Sequence, residues 1–235
     1  MMNLLLAILA ETPLTEVTLD TQVAAESSPS LWALSLKGGF IMIPLLLLSL
    51  LTIYIFVERM LALRAAAKED ATFMQRIKDY IHTGDIESAL NLCKKNTTPV
   101  ARLIEKGITR LGRPMNDVLV AIENAGNIEV AKLERRFSWV ATTAAGAPML
   151  GFLGTVLGMV NAFYSMASAG EAADITTLSS GIYEALVTTV AGLIVGIIAM
   201  FAYNMLVSRV SSVVNQLEAS TMEFMDLLNE PADKK

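Results

Sequence analysis

Charged positions disappear from the chain three times for long enough to matter. Residues 40–57, FIMIPLLLLSLLTIYIFV, form an 18-residue run without a charge, enough to cross a hydrocarbon core of about 30 Å at about 1.5 Å per residue. Pro44 lies in the first turns of that run, where a missing amide costs least, and Glu58, Arg59 and Arg64 close its far end. A second run, VATTAAGAPMLGFLGTVLGMVNAFYSMA, follows Arg135, Arg136 and Trp139 and ends near Ala167, with Trp139 and Tyr164 spaced as interfacial aromatics. The third contains GIYEALVTTVAGLIVGIIAMFAYN, residues 181–204, interrupted only by Glu184 and Asn204. The pattern predicts an all-α membrane protein with transmembrane helices over 39–58, 139–167 and 175–207 and a short loop at 168–174.

Between the first two spans the pattern is helical and punctuated. Thr83-Gly84-Asp85 stops one helix and can cap the next, Thr98-Pro99 is an N-cap followed by proline at the first helical position, and Gly112 with Pro114 makes a further break. From Met115 to Ala145 no proline intervenes, which predicts one helix running unbroken into the second span, with Leu119, Ile122, Val130, Leu133 and Phe137 facing neighbours. Strand-like alternation of useful length is missing from the sequence. Residues 59–138 are thus expected to form a helical domain, and 208–235 a helix and tail that continue the third span.

Composition and charge add topology. Hydrophobic residues make up 54% of the chain and charged ones only 17%, a balance far too apolar for a soluble domain of this size. The spans are rich in Gly, Ala, Ser and Thr, so they have too little bulk to fill a three-helix core alone, and a ring of subunits is expected. Lys and Arg crowd the segment between the first and second spans and are missing between the second and third. By the positive-inside rule the long helical segment is cytoplasmic, the C-terminus with Arg209 is inside, and the acidic, Ser/Thr-rich residues 1–38 lie outside. Within that outer segment MMNLLLAILAETP resembles a short signal sequence without the basic residue such a sequence carries, and LWALSL at 31–36 predicts an interfacial helix. A net charge of -5 gives no reason to expect nucleic acid. With Cys93 and His82 each the only one of its kind, neither a Cys/His metal cluster nor a His-dependent catalytic triad is expected, and no enzyme activity.

The acid in the third run has two readings. If the helix starts at Gly181, Glu184 is a first-turn acid that needs no function. If it starts near Ile175 with Asp174 as N-cap, Glu184 lies about 14 Å along the axis, near the bilayer midplane, and must face a polar path or a partner. The hydroxyls of Thr176, Thr177, Ser179 and Ser180, which a bundle can turn inward, favour the second. Thr188 then shares the Glu184 face, Thr189 is adjacent, and Gly192 and Gly196 continue that face as a groove; Thr155 stands among Gly151, Gly154 and Gly158 in the second span. Against a polar role, a threonine in a membrane helix commonly bonds back to its own helix carbonyl.

Three stretches carry a resemblance: GIYEALVTTVAGL with IAMFAYN after it, APMLGFLGTVLGMVNAF, and LKGGFIMIPLLLLSLLTIYIFVERM. In this order they resemble the MotA/TolQ/ExbB proton-channel family, closest to its ExbB branch, over residues 37–209. The resemblance implies a homopentamer in the bacterial inner membrane, enclosing an ExbD-like single-span dimer whose aspartate carries protons, and energising a TonB-like protein for outer-membrane transport. A TolQ-like role in envelope integrity is the alternative within the family, and a passive scaffold the alternative outside it. By motif position Glu184 matches the family's glutamate, Thr189 its pore threonine, Thr155 the threonine of the second span and Pro148 the proline before it. Thr188 stands where related sequences often have alanine, a departure that makes the path more polar. The implied ion is H+, with Na+ as the alternative, and no cofactor is implied.

Overall fold

The computed structural model describes residues 39–68, 72–170 and 174–229. The signal-like stretch and the expected interfacial helix at 31–36 lie outside them. The described residues form seven helices and no strand: α1 (Met42–Ala66), α2 (Phe73–His82), α3 (Ile86–Lys95), α4 (Pro99–Ile108), α5 (Met115–Leu133), α6 (Phe137–Ala169) and α7 (Ile175–Asn229). By length and composition α1, α6 and α7 can each cross a membrane. With no water in such a core to satisfy the backbone, an uninterrupted apolar sequence has helix as its only open-ended solution.

α6 and α7 run against each other along most of the apolar region, and α1 packs on both. α1 buries Leu45, Thr52, Ile55 and Leu63, one stripe of its surface, while Leu46, Leu47, Leu50, Ile53 and Val57 remain exposed. α7 has 55 residues, about 80 Å at the usual rise, so it extends far beyond the apolar stretch. In its second half the buried residues Leu206, Val210, Val213, Leu217, Ser220, Phe224 and Leu227 recur at intervals of three and four, a coiled-coil-like stripe. Against that stripe sits the small helical domain, whose core joins Phe73, Ile77, Ala89, Cys93, Ile104, Ile108 and Ile122 to Val213, Leu217 and Phe224. Gly107 permits the approach, since a Cβ there would stand 2.6 Å from Phe224 Cε1 and 2.9 Å from Ile122 Cδ1.

The turns follow the punctuation. Asp85 accepts the Ser88 amide at 3.0 Å and Thr98 the Ala101 amide at 3.4 Å, with Pro99 as the first helical residue. Ser88, through its side chain and its amide, holds the Asp85 carboxyl below its usual range.

The helix expected to run unbroken from Met115 to Ala145 is in fact two. α5 stops at Leu133, and α6 starts at Phe137 after Arg136 in the left-handed conformation, φ 72°. Tertiary contacts accompany this break. Arg136 Nη1 reaches Glu58 Oε2 on α1 at 2.5 Å, Arg59 Nη1 donates to the Lys132 carbonyl at 3.2 Å, and Phe137 packs among Leu63, Leu206 and Val210. Three residues of turn let the chain swing from the helical domain onto α1 and α7, which a straight helix could not do.

Cys93 is buried in the core of the helical domain, and burial, with the charge of Glu105 adding to it, pushes its thiol up to about 12. An unfolded thiol ionises near 8.5. The folded protein therefore keeps the proton where the unfolded chain loses it, so this group's contribution is fully present below about pH 8.5 and is lost as pH rises toward about 12. Iodoacetamide at pH 8 is expected to leave Cys93 unmodified in the native protein and to label it after denaturation, read by intact mass.

Candidate functional site

The polar residues of the second and third spans are held by a seam of small ones. A Cβ added at Gly151 would meet the Thr188 carbonyl at 3.0 Å and the Gly192 and Thr189 Cα atoms at 3.2 Å; at Gly192 it would meet the Ala147 carbonyl at 2.6 Å. A Cβ at Gly158 would stand 2.9 Å from Ala185 Cβ and one at Gly181 2.5 Å from Ala162 Cβ, while one at Gly196, which lies under the Pro148 ring, would stand 2.5 Å from its Cγ and 3.2 Å from the Ala144 carbonyl. Pro148 has no amide to give that carbonyl, and the bare Cα of Gly196 is what fits beside it. Backbones this close gain dispersion and Cα–H···O contacts, the available attractions where lipid removes any hydrophobic drive between helices.

The threonines fall into two kinds. Thr188, 2% exposed, fits its side chain into the notch left by Gly154 and donates to the Ala185 carbonyl at 2.7 Å. Thr155 donates back to the Phe152 carbonyl at 2.6 Å. Both thus make the local bond usual for a membrane threonine. Thr189 instead crosses the seam, donating to the Gly151 carbonyl at 3.0 Å. In a regular helix that carbonyl also receives the Thr155 amide, so Thr189 and Thr155 meet on one acceptor without bonding each other.

α7 starts at Ile175, and Asp174 accepts the Thr176 amide at 3.1 Å as well as its hydroxyl. Glu184 is therefore not a first-turn acid. Its Oε1 rests against Gly39, in the turn leading into α1, so along the bundle it is level with the start of that helix. From Trp139 to Gly158, which packs on Ala185 beside Glu184, α6 advances about 28 Å, nearly the whole thickness of a hydrocarbon core. The first turns of α7 project past α1, and measuring depth from its first residue overstates it. Thr176, Thr177, Ser179 and Ser180 lie on those projecting turns and are exposed in the single chain.

Sequence reasoning passed over Gly39, although it stands in the LKGGF motif, because nothing local ties it to a residue 145 positions later. It also missed Thr52, buried on α1 with a hydroxyl that makes no hydrogen bond among the described residues, and the Glu58–Arg136 pair at the opposite end of α1. Among the described residues no group of His, Cys, Asp or Glu could hold a metal.

A match to the MotA/TolQ/ExbB proton channel family covers residues 95–219, which include the whole seam. The chain belongs to that family. Similar members include the ExbB-like protein 1 of Synechocystis sp., 32% identical over 191 residues, 78% of this chain and 73% of the relative. The Tol-Pal system protein TolQ of Haemophilus influenzae is 27% identical over 209 residues, 84% of this chain and 91% of that protein. The biopolymer transport protein ExbB of Neisseria meningitidis is 29% identical over 214 residues, 83% of this chain and 93% of that one. As a member of the MotA/TolQ/ExbB family with three spanning-length helices, the chain is a multi-pass membrane protein of a proton-channel family.

The seam yields a matched pair of tests. A methyl at Gly154 would fall on the Thr188 side chain, whereas Gly146, in the same helix, has nothing within 4 Å of an added Cβ. Gly154→Ala is expected to destabilise the protein by about 1–3 kcal/mol and Gly146→Ala to leave it unchanged or slightly more stable, compared as thermal midpoints in one detergent.

Proposed function

We propose that the chain is an ExbB-like subunit of an ion-driven stator in the bacterial inner membrane. Five copies would form a ring in the lipid around an ExbD-like single-span dimer, with the helical domain and C-terminus cytoplasmic and residues 1–38 periplasmic, and the complex would energise a TonB-like protein. The translocated ion is H+, with Na+ the alternative that the extra hydroxyl of Thr188 invites, and no cofactor takes part. The observation that carries this reading is the arrangement of Glu184 and Thr189. Both are half-exposed in the single chain, about 7 Å apart along α7, above a seam that fixes their backbones. An acid at the membrane boundary can exchange its proton with water at the mouth of a path, and a hydroxyl one and a half turns deeper can pass an ion on.

Exposed apolar side chains support the ring. Phe152, Val156, Val160 and Phe163 on α6, and Leu186, Val190, Leu193 and Ile197 on α7, leave broad faces that lipid or neighbouring subunits must cover. Movement of one charge supplies about 2.3 kcal/mol per 100 mV of membrane potential, so several charges can drive mechanical work on the enclosed partner.

TolQ relatives match this chain over as much of its length as ExbB relatives do, which favours a second output, envelope integrity, for the same ion path. Growth on an iron complex that needs active uptake, set beside detergent sensitivity, separates the two outputs. Under either, Glu184→Gln and Thr189→Val are expected to abolish the affected phenotype with the complex still assembled, and Glu184→Asp to weaken it. Normal growth and normal envelopes in both variants at native expression would leave a passive scaffold as the better account.

A further inference from the structure

Gly39 differs from the other turn glycines. Gly84 and Gly112 also have positive φ, 73° and 86°, and nothing lies within 4 Å of a Cβ built on either, so backbone conformation alone accounts for them. At Gly39 φ is 65°, and a Cβ would in addition fall on the Glu184 carboxyl, against Oε1 and 3.4 Å from Cδ. The acid comes from the third span and the glycine from the turn before the first. That turn is built by the Met42 amide bonding the Gly39 carbonyl and the Ile43 amide bonding that of Phe40, both at 3.2 Å. A carboxyl set there also lies at the amino end of α1, where the helix dipole favours negative charge.

We propose that Gly39 is a positioning residue for Glu184: its bare Cα is the seat on which the carboxyl rests, so that the first span fixes where on the surface of α7 the acid stands. A glutamate on a half-exposed helix face has three rotatable bonds and would otherwise sample several positions, and a group that must exchange an ion at one place loses efficiency when it wanders. α1 is thereby tied to charged groups at both ends, to Glu184 at its start and through Glu58 to Arg136 at its end. A shift of α1 along the bundle would move the acid without any change in the α6–α7 seam. The functional weight of the seat rests on Glu184 serving the ion path; the contact itself does not.

The test is a double-mutant cycle on the full-length chain in lipid nanodiscs, read as thermal midpoints for Gly39→Ala, Glu184→Ala and the double variant, with Gly84→Ala as the control for positive-φ strain. Gly39→Ala is expected to lower the midpoint more than Gly84→Ala does, and the excess is expected to vanish in the Glu184→Ala background. The infrared carbonyl or carboxylate band of Glu184, identified by its loss in Glu184→Gln, is expected to shift in Gly39→Ala and to stay in place in Gly84→Ala, which a purely structural role for Gly39 would not produce. Should Gly39→Ala fail to fold, folding of the double variant supports the seat and its failure overturns it. Equal losses in both backgrounds, or an unmoved band, overturn the proposal. None of these readouts needs transport, so a stator reading that fails through normal growth of Glu184→Gln would leave a measured coupling intact.

Discussion

Close backbone contact between α6 and α7 is the constraint on which the rest of this structure depends. In lipid, leucine gains nothing by leaving one apolar surroundings for another, and two helices hold together only if their backbones approach. Gly151, Gly154 and Gly158 on one side and Gly181, Gly192 and Gly196 on the other make that approach possible. Thr188 and Thr189 take their places from it. Thr188 has a notch only because residue 154 has no side chain, and Thr189 reaches a carbonyl of another helix only because Gly151 brings that carbonyl near.

The seam also decides what the other elements do. α1 packs on the α6–α7 pair through one apolar stripe and through charged contacts at its ends, and the break before α6 turns the chain so that Phe137 can close the bundle beneath. Beyond the apolar region α7 changes partner without changing direction, exchanging a glycine groove for a stripe of larger residues that carries the helical domain. One continuous helix thus links the region of Glu184 to the far domain.

Much of this was legible in the sequence because it is periodic or local. Three long apolar runs, the Asp85 and Thr98 caps, the start of α7 at Ile175 and the glycine grooves all follow from spacing and turn chemistry. What the sequence did not reveal depends on distant partners. Nothing in the residues around Arg136 marks a helix end; the contacts found at the break, Glu58 among them, come from as far as 78 positions away. The depth of Glu184 depends on how far α7 slides past α1, a register that periodicity within one helix cannot specify. Thr155 and Thr188 read as a polar cluster, yet their hydroxyls go to nearby carbonyls of their own helices, while Thr189 bonds a carbonyl of the facing helix.

The seam can be tested directly by magic-angle-spinning NMR of the full-length chain in lipid bilayers, with glycine and threonine carbon-labelled. Through-space cross-peaks are expected between the Gly151 and Gly192 Cα carbons and between the Gly154 Cα and the Thr188 side chain, unchanged in strength when the protein is diluted with unlabelled copies, as contacts within one subunit require. Absence of these cross-peaks, or their loss on dilution, would contradict the seam.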